Sequence, residues 1–283
     1  MSILTVGRIE YLNILPVYYY FDQHIGQDKD IKIINNIPAK LNALLEQGEI
    51  DLGPISAFSY AQNAEKYLLI PDLSVSSIGK VRSIYLFSKK PIEELTDAKI
   101  ALTNASATSV HLLKIILEKY YKCRPTYSKM NPELDSMLQT NDAALLIGDD
   151  AFIDVSDFKP SLYKYDLGEV WNQITGYSMT FAVWAVRKDS IARCADKIRE
   201  IYQAFMVSKE LSEKYKCEIV EIADRKYNRG FQFWDEYYSG LNYDLTTNIV
   251  AGLNKYLMDA YECGYLPRPI EAEIWRDAYV TNR

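Results

Sequence analysis

Residues 7–16 read Gly7-Arg8-Ile9-Glu10-Tyr11-Leu12-Asn13-Ile14-Leu15-Pro16, and this stretch determines the predicted fold. It continues the apolar run 3–9, which has the length and the β-branched character of a buried strand. Pro16 is tolerated in a first helical turn, where backbone N–H groups have no intrahelical partner, so we expect a helix to begin near it. Residues 10–13 then form a strand-to-helix loop at the carboxyl end of the first strand. Open α/β sheets bind ligands at that edge.

Asn13 can have either of two roles in this loop. It can cap the following helix, because Asn is among the preferred N-cap residues. Alternatively, its amide can contact a ligand at the edge of the sheet. The residues of the loop alone leave both roles open.

The composition is that of an ordinary globular protein. With 283 residues, 48% of them hydrophobic and 25% charged, the chain is long enough for about two domains. No stretch approaches the ~20 apolar residues that span a bilayer. The N-terminus has no basic segment or cleavage site typical of a signal peptide, so we expect a cytoplasmic protein. The net charge of −6 and the lack of a basic run argue against nucleic acid as a partner, but not against a small anionic ligand.

No cofactor or metal is expected from the sequence. The four cysteines are widely spaced and form no Cys-x-x-Cys pair, and the two histidines belong to no cluster. The chain also lacks a Walker A loop, a Gly-x-Gly-x-x-Gly fingerprint and the sequence motifs of serine hydrolases and zinc proteases.

Strands and amphipathic helices alternate along the chain, which is typical of α/β architecture. We predict two crossings between lobes, at a Lys-Lys-Pro break in residues 89–91 and in the long apolar strand 179–186. Lobe I is therefore expected to comprise residues 1–88 and 183–283, and lobe II the inserted residues 89–182. Two lobes joined by two hinge strands form a clamp that can close on a ligand.

The C-terminal part is predicted to be helical and to belong to lobe I. The apolar spacing predicts helices over residues 191–206, 225–238 and 246–263. The 23 tyrosines become more frequent toward this half of the chain, where most are expected to pack on helix faces.

Polar loop residues near the ends of predicted strands are candidates for a binding site. Helix N-termini there can bind a carboxylate without any basic side chain. The alternative is that Ser56, Ser106 and Thr108 are only helix caps. These loop candidates are Ser56, Ser106, Thr108, Ser109, Gly148, Asp149 and Thr175.

The charged and titratable candidates also have two interpretations each. Arg8 and Arg82 are the best-placed cations for an anionic ligand, and a surface salt bridge is the alternative. Asp149 can be a base or a helix cap, and we favour the cap. His111 is expected to pack among apolar helix residues, and His24 to be exposed in a loop.

Several motifs resemble those of the chorismate dehydratases of the futalosine route to menaquinone. They cover residues 6–187 in the family's order, with Ser178 where that pattern has proline. The motifs are Gly7-Arg8-Ile9-Glu10-Tyr11-Leu12-Asn13 with Pro16-Val17, Asp51-Leu52-Gly53-Pro54-Ile55-Ser56, Leu73-Ser74-Val75-Ser76-Ser77 with Val81-Arg82-Ser83, Pro91-Ile92-Glu93-Glu94-Leu95, Ala101-Leu102-Thr103 with Ser106-Ala107-Thr108-Ser109-Val110, Leu146-Ile147-Gly148-Asp149, Tyr165-Asp166-Leu167-Gly168 with Trp171 and Thr175-Gly176, and Phe181-Ala182-Val183-Trp184.

The resemblance implies a fold, a reaction and a set of site residues. The fold is the periplasmic-binding-protein-like fold of type II, and the reaction is the dehydration of chorismate to 3-[(1-carboxyvinyl)oxy]benzoate. No strong protein base is evident, so the enolpyruvyl carboxylate of the substrate is the hypothesised base. Asn13 is the expected catalytic residue, and the expected binding residues are Arg8, Tyr11, Ser56, Arg82, Ser83, Ser106, Thr108, Ser109, Gly148, Asp149, Thr175 and Met179.

Two alternatives remain at this point. The 1,4-dihydroxy-6-naphthoate synthase of the same pathway shares the fold but lacks the Gly-Arg-Ile-Glu-Tyr-Leu-Asn opening. A non-catalytic solute-binding protein of a transporter is possible on the fold alone, because fold does not determine function. The absence of a recognisable signal peptide and lipid-anchor cysteine argues against it.

Overall fold

The predicted opening unit is a strand, a short turn and a helix. β1 (Leu4–Ile9) leads through a 3-10 turn (Leu12–Ile14) into α1 (Leu15–Ile25). Pro16 lies in the first turn of α1, as expected. These coordinates are those of a computed structural model, which describes residues 3–25, 28–104, 106–152 and 161–277.

The strands of the described residues form two five-stranded sheets, which we call the first and the second sheet. The strands after β1 are Ile31–Asn36 (β2), Leu52–Ser56 (β3), Tyr67–Ser77 (β4), Ile84–Ser88 (β5), Lys99–Thr103 (β6), Thr126–Met130 (β7), Ala143–Ile147 (β8), Tyr163–Asp166 (β9) and Met179–Arg187 (β10). The strand order is β2-β1-β3-β10-β4 in the first sheet and β7-β6-β8-β5-β9 in the second. Each sheet has three parallel neighbouring strands and one reversed strand, which is β10 in the first sheet and β5 in the second. The outermost strand beyond it, β4 or β9, pairs antiparallel with the reversed strand and so runs in the direction of the first three.

Helices follow most of these strands, as in other α/β proteins. The helices after α1 are Pro38–Gln47 (α2), Ala57–Gln62 (α3), Ala107–Ile115 (α4), Leu134–Thr140 (α5), Leu167–Thr175 (α6), Lys188–Lys214 (α7), Lys216–Tyr227 (α8), Phe231–Gly240 (α9) and Thr247–Glu262 (α10). The predicted α/β class is therefore confirmed.

The crossings between the sheets lie at other positions than predicted. β4 belongs to the first sheet and β5 to the second, so the chain crosses over residues 78–83. It returns between β9 and β10, through α6. The boundary expected at 88/89 thus falls after β5, and the one at 182/183 falls inside β10. Both strands are apolar and largely buried, and such a pattern does not tell which sheet a strand joins. The division of the chain into two domains stays a prediction.

Two of the predicted C-terminal helices are present with modified bounds. The helix expected over 191–206 is longer, since α7 spans Lys188–Lys214 with a kink at Cys194. The helix expected over 246–263 is α10, and the Thr246 hydroxyl caps it by accepting from the Ile249 N–H at 3.4 Å.

The helix predicted over 225–238 is wrong, because the chain turns sharply in its middle. α8 ends at Tyr227, where Asn228 adopts a left-handed conformation (φ 47°). Gly230 has φ 86° and ψ 149°, a conformation that residues other than glycine rarely adopt, and α9 begins after it.

An aromatic cluster fixes α1 and α7 on the first sheet. The rings of Phe21 and Phe205 stack with their centroids 4.1 Å apart. The buried hydroxyl of Tyr18 donates to the Gly7 carbonyl at 2.8 Å and accepts from Trp184 Nε1 at 3.2 Å. The end of β1 is therefore held by hydrogen bonds as well as by packing.

Candidate active site

A cleft lies between the two sheets, next to the ends of β1, β3 and β8. Its cavity volume is about 50 Å³, well below the range of about 300 to 1,000 Å³ typical of small-molecule sites, so the cleft is nearly closed in this structure. The polar residues that line it are Tyr11, Asn13, Ser56, Ser83, Ser106 and Ser109. The remaining lining residues are Ile9, Pro38, Val75, Val81, Ile84, Ile147, Gly148, Phe181 and Ala182.

The cleft brings together seven of the thirteen predicted site residues. They are the six polar residues above and Gly148. None of the described lining residues carries a formal charge at neutral pH. Burial and the nearby charges of Asp150 and Asp149 raise the pKa of Tyr11, so its hydroxyl stays protonated and can donate a hydrogen bond.

Two helices begin at the cleft, and a serine caps each of them. The Ser56 hydroxyl accepts from the Ser59 N–H at the start of α3, at 3.2 Å. The Ser106 hydroxyl accepts from the Ser109 N–H at the start of α4, also at 3.2 Å. Ser56 and Ser106 therefore cap helices and line the cleft at the same time, so the two interpretations do not exclude each other.

Thr108 does not line the cleft, although it lies in the first turn of α4. Its side chain is fully buried, and its Oγ1 accepts from the Phe58 N–H of α3 at 3.0 Å. Its carbonyl accepts from the Tyr256 hydroxyl at 3.1 Å. The hydroxyl of Thr108 joins α3 to α4. It is not the cap of α4, which is Ser106, but it accepts from one of the first N–H groups of α3.

Asn13 is not a helix cap. It lies inside the 3-10 turn, whose N-cap position is Tyr11, and α1 begins two residues later. Its Oδ1 is buried, and no group in the described part of the chain donates a hydrogen bond to it. A buried amide oxygen without a protein partner, at the wall of a cleft, favours the ligand-contact role.

Asp149 is turned away from the cleft. Its Oδ2 accepts from the Tyr227 hydroxyl at 2.7 Å and from Lys226 Nζ at 3.2 Å. Its Oδ1 lies 3.5 Å from the Leu12 N–H. The favoured role as cap of the following helix is thus wrong, because this carboxylate instead joins the loop after β8 to the Asn13 turn and to α8.

The two arginines have partners outside the cleft. Arg8 pairs with Asp22, and its guanidinium lies 5.5 Å from the centre of the Tyr18 ring. It lines a separate cavity on the other side of Tyr11. Arg82 lies 3.7 Å from Glu236 of α9. Both contacts favour the salt-bridge interpretation.

The last two predicted binding residues and the histidines also lie elsewhere. The Thr175 hydroxyl donates to the Trp171 carbonyl at 2.7 Å, and Met179 is buried in β10. His111 packs as expected, with its ring stacked on Phe58 at 3.6 Å, and burial lowers its pKa. His24 is exposed, but it lies at the end of α1 and not in a loop.

Two further groups at the site were missed among the residues predicted to form it. One is the apolar wall, to which Val75, Phe181 and Ala182 contribute. The other is a pair of tyrosines after α8, since the Tyr238 hydroxyl donates to the Leu12 carbonyl and the Tyr243 hydroxyl to the Asn13 carbonyl. The high tyrosine content of this half of the chain was the available signal, but it did not indicate which tyrosines reach the loop.

Neither a metal-binding cluster nor a membrane span is found within the described ranges. No three His, Cys, Asp or Glu side chains there are grouped so as to hold a metal ion. Likewise, none of the helices described above combines the length and the apolar character needed to cross a bilayer.

Comparisons with solved structures identify the fold. Protein AF1704 of Archaeoglobus fulgidus superposes with a TM-score of 0.72 at 20% identity, over 93% of this chain and 98% of that one. The alkanesulfonate-binding protein SsuA of Xanthomonas axonopodis pv. citri, bound to MOPS, gives 0.69 at 15% identity, over 98% and 99% of the two chains. The Candida albicans CA3427 gene product, described as having the generic periplasmic binding protein fold, gives 0.67 at 12% identity, over 98% and 99%. The predicted periplasmic-binding-protein-like fold is thus confirmed.

Comparisons of sequence identify the family. A chorismate dehydratase of Thermus thermophilus is 32% identical over 200 residues, which cover 66% of this chain and 70% of that protein. A family model described as menaquinone biosynthesis matches residues 4–262, from β1 to the end of α10. Because this match includes both sheets, the cleft and the C-terminal helices, the chain belongs to the menaquinone biosynthesis family.

Proposed function

We propose that this protein is a hydro-lyase that converts chorismate into 3-[(1-carboxyvinyl)oxy]benzoate and water, the first step of the futalosine route to menaquinone. The observation that carries the proposal is the lining of the cleft. Hydroxyl and amide groups of Tyr11, Asn13 and four serines face an otherwise apolar space between two sheets. The similarity to the Thermus thermophilus chorismate dehydratase supports the same reaction.

The reaction requires positioning more than strong acid or base groups. Chorismate loses the proton at C3 and the hydroxyl at C4, and the electron pair of the C3–H bond completes an aromatic ring. A site that orients the leaving hydroxyl and excludes water can therefore promote it. The neutral, half-apolar lining of the cleft suits this task.

The helix N-termini are the proposed carboxylate sites. α3 and α4 both begin at the cleft, at Ser56 and Ser106. The positive ends of helix dipoles stabilise anions there without a basic side chain. Ser83, Ser109 and Tyr11 supply further hydrogen-bond donors to the dianionic substrate.

The proton transfer is proposed to use the substrate itself. The described lining residues include no carboxylate and no imidazole. The enolpyruvyl carboxylate of chorismate is bound beside C3, so it takes the C3 proton and passes it to the departing C4 hydroxyl, which leaves as water. Asn13 holds that hydroxyl with its side-chain amide. Neither a cofactor nor a metal is part of this proposal, and the cytoplasmic location stays a prediction.

The test is an incubation of the purified protein with chorismate in the presence of a chelator. We expect the ultraviolet spectrum of chorismate to change to that of a benzoate, with a product 18 mass units lighter because one water is lost. Tight binding of chorismate without turnover would instead indicate a solute-binding protein. Formation of 1,4-dihydroxy-6-naphthoate from the substrate of that synthase would indicate the other enzyme of the pathway.

A further inference from the structure

The turn that carries Asn13 is too short to hold its own shape. It consists of three residues, Leu12–Ile14, and its first internal hydrogen bond, from the Ile14 N–H to the Tyr11 carbonyl, is long at 3.4 Å. One turn of 3-10 helix has little stability of its own, because its hydrogen-bond geometry is poor and helix nucleation is unfavourable. The orientation of the Asn13 side chain must therefore be set by contacts from outside the turn.

Two tyrosines from the end of α9 and the following loop provide these contacts. The Tyr243 hydroxyl donates to the Asn13 carbonyl at 2.8 Å, and the Tyr238 hydroxyl donates to the Leu12 carbonyl at 3.2 Å. No described group holds the Asn13 side-chain oxygen, so the amide keeps its direction through the backbone of Asn13. Of the two hydroxyls, that of Tyr243 acts on the backbone of Asn13 itself.

The loop of Tyr243 is itself anchored to the first sheet. Ser76 of β4 and Asn242 exchange two backbone hydrogen bonds, of 2.8 and 2.9 Å. The Ser74 N–H donates to the Tyr243 carbonyl at 2.9 Å. The backbone of Tyr243 is thus fixed to the edge strand β4, and its side chain reaches from there to the Asn13 turn.

We infer that Tyr243 is a positioning residue, which orients the amide of Asn13 in the cleft through a hydrogen bond to the Asn13 carbonyl. The inference rests on the proposed function, in which Asn13 holds the leaving hydroxyl. It gives the helical C-terminal part a direct role at the site, although none of its described residues lines the cleft.

The test compares Tyr243→Phe with Tyr202→Phe as a matched control. The Tyr202 hydroxyl also makes a 2.8 Å hydrogen bond, to Asp72, but outside the cleft. We expect Tyr243→Phe to lower kcat between about 10- and 100-fold with little change in KM, because a small misplacement of a reacting group has effects of this size. Tyr202→Phe should keep the kcat of the wild type. A wild-type kcat in folded Tyr243→Phe would overturn the inference.

A second variant covers the case in which Tyr243→Phe does not fold. Tyr243→His keeps a ring at this position, but its N–H groups lie nearer the backbone than the phenol hydroxyl and cannot reach the Asn13 carbonyl, so the same loss of kcat without a change in KM is expected. A wild-type kcat in folded Tyr243→His would then overturn the inference.

A spectroscopic readout separates this inference from the proposed function. In protein labelled with ¹⁵N at asparagine, the side-chain amide signal of Asn13, assigned with Asn13→Asp, should shift or broaden in Tyr243→Phe and not in Tyr202→Phe. If the wild type does not turn over chorismate, the proposed function fails and this signal alone decides the inference. An unchanged Asn13 signal in Tyr243→Phe would overturn it in either case.

Discussion

Asn13 combines a buried, unpartnered side-chain oxygen with a backbone carbonyl that is firmly held. Leaving a polar atom unpaired and buried costs about 1–3 kcal/mol, so such an atom calls for a functional explanation. A substrate hydroxyl that donates to Oδ1 would supply the missing hydrogen bond. At the scale of single residues, this is the strongest indication of where the chemistry takes place.

Replacing Asn13 by Asp tests this role. Asp has nearly the same shape and keeps an acceptor oxygen, but when ionised it lacks the amide N–H donors of Asn and adds a negative charge beside a dianionic substrate. We expect Asn13→Asp to keep a melting temperature close to that of the wild type and to lose at least about 100-fold in kcat/KM, the scale of one lost oriented donor. Thermal unfolding and the ultraviolet assay measure the two effects.

The same change at Asn35 of β2, outside the cleft, is the control for Asn13→Asp. Asn35→Asp should affect neither quantity. Native turnover in Asn13→Asp would remove this residue from the reaction.

Chain order was enough to place some of the predicted site residues, whereas others have partners that the sequence does not reveal. Ser56 ends β3 and Ser106 lies three residues after the end of β6, so their place at the sheet edge could be predicted from chain order. Arg8 pairs with Asp22, and Arg82 pairs with Glu236. Residues as far apart in the sequence as Arg82 and Glu236 cannot be paired from local spacing. Asp22 lies in α1, 14 positions after Arg8 in β1. A lone acidic residue in a helix is just as often a solvated side chain, so this pair could not be predicted either.

At the scale of elements, the contact between α3 and α4 is the most informative. The two helices belong to different sheets, and the Phe58 N–H of α3 donates to Thr108 of α4. A buried N–H needs a partner. Thr108 was predicted to bind substrate, and Thr108→Asp would be the obvious test of that role. The variant would, however, place a charge between the two helices, so a loss of binding would not identify a substrate contact.

Thr108→Val is the better test of this contact. Val has the shape of Thr without the hydroxyl, so the Phe58 N–H would be left unpaired. We expect Thr108→Val to lower the free energy of unfolding by about 1–3 kcal/mol, measured by urea denaturation. Thr108→Ser keeps the hydroxyl and should lose less. Equal stability of the two variants would show that the hydrogen bond between the helices contributes nothing.

Element types were easier to predict than their boundaries. The β1–turn–α1 unit and α10 follow from apolar spacing, Pro16 and the cap at Thr246. The break between α8 and α9 was missed, because the apolar period continues on both sides of Gly230. A glycine inside a helical pattern is compatible with a continuous helix as well as with a turn.

At the scale of the whole molecule, the C-terminal helices contact both halves of the cleft. Asp259 of α10 is fully buried and accepts from Lys119 and, at 2.6 Å each, from Tyr120 and Lys255. Lys119 and Tyr120 follow α4, in the half that contains the second sheet. The prediction that residues 183–283 belong to lobe I alone therefore overlooked these contacts. They join residues about 140 positions apart, which local sequence spacing cannot predict.

The Asp259 cluster gives a pH-dependent prediction. Burial acts to raise the pKa of Asp259, but the hydrogen bonds from Lys119, Lys255 and Tyr120 outweigh it and hold the pKa below its usual value. A carboxylate with a lowered pKa stabilises the folded state above its unfolded pKa of about 4, and this contribution is lost as the pH falls through the folded value.

Asp259→Asn should therefore destabilise the protein at pH 7 by about 2 kcal/mol, the scale of hydrogen bonds to a charged group. The difference from the wild type should shrink below about pH 4, where the wild-type carboxylate becomes protonated. Urea denaturation at several pH values measures it. Glu262→Gln, at a half-exposed partner of Lys119, should cost less than about 1 kcal/mol. A difference that does not depend on pH would contradict the ionic role of Asp259.

The cleft also predicts a motion. Hydrogen bonds such as that from the Phe58 N–H to Thr108 join the two halves of the molecule. The two halves must therefore separate before substrate can enter the cleft. We expect small-angle scattering to give a smaller radius of gyration with saturating product than without ligand, because sites that exclude water close over their ligands. Succinate, a dicarboxylate of different shape, should leave the radius unchanged. Identical profiles with and without product would argue against a clamp.

β4 is an edge strand of the first sheet, and segments that come much later in the chain cover its open side. Asn242 and Tyr243 pair with Ser76 and Ser74, and residues 273–275 pair with Leu69. An uncovered strand of eleven residues would present free N–H and C=O groups to any other extended chain. The segment that holds the Asn13 turn therefore also protects the protein against self-association, and variants that detach it are expected to aggregate as well as to lose activity.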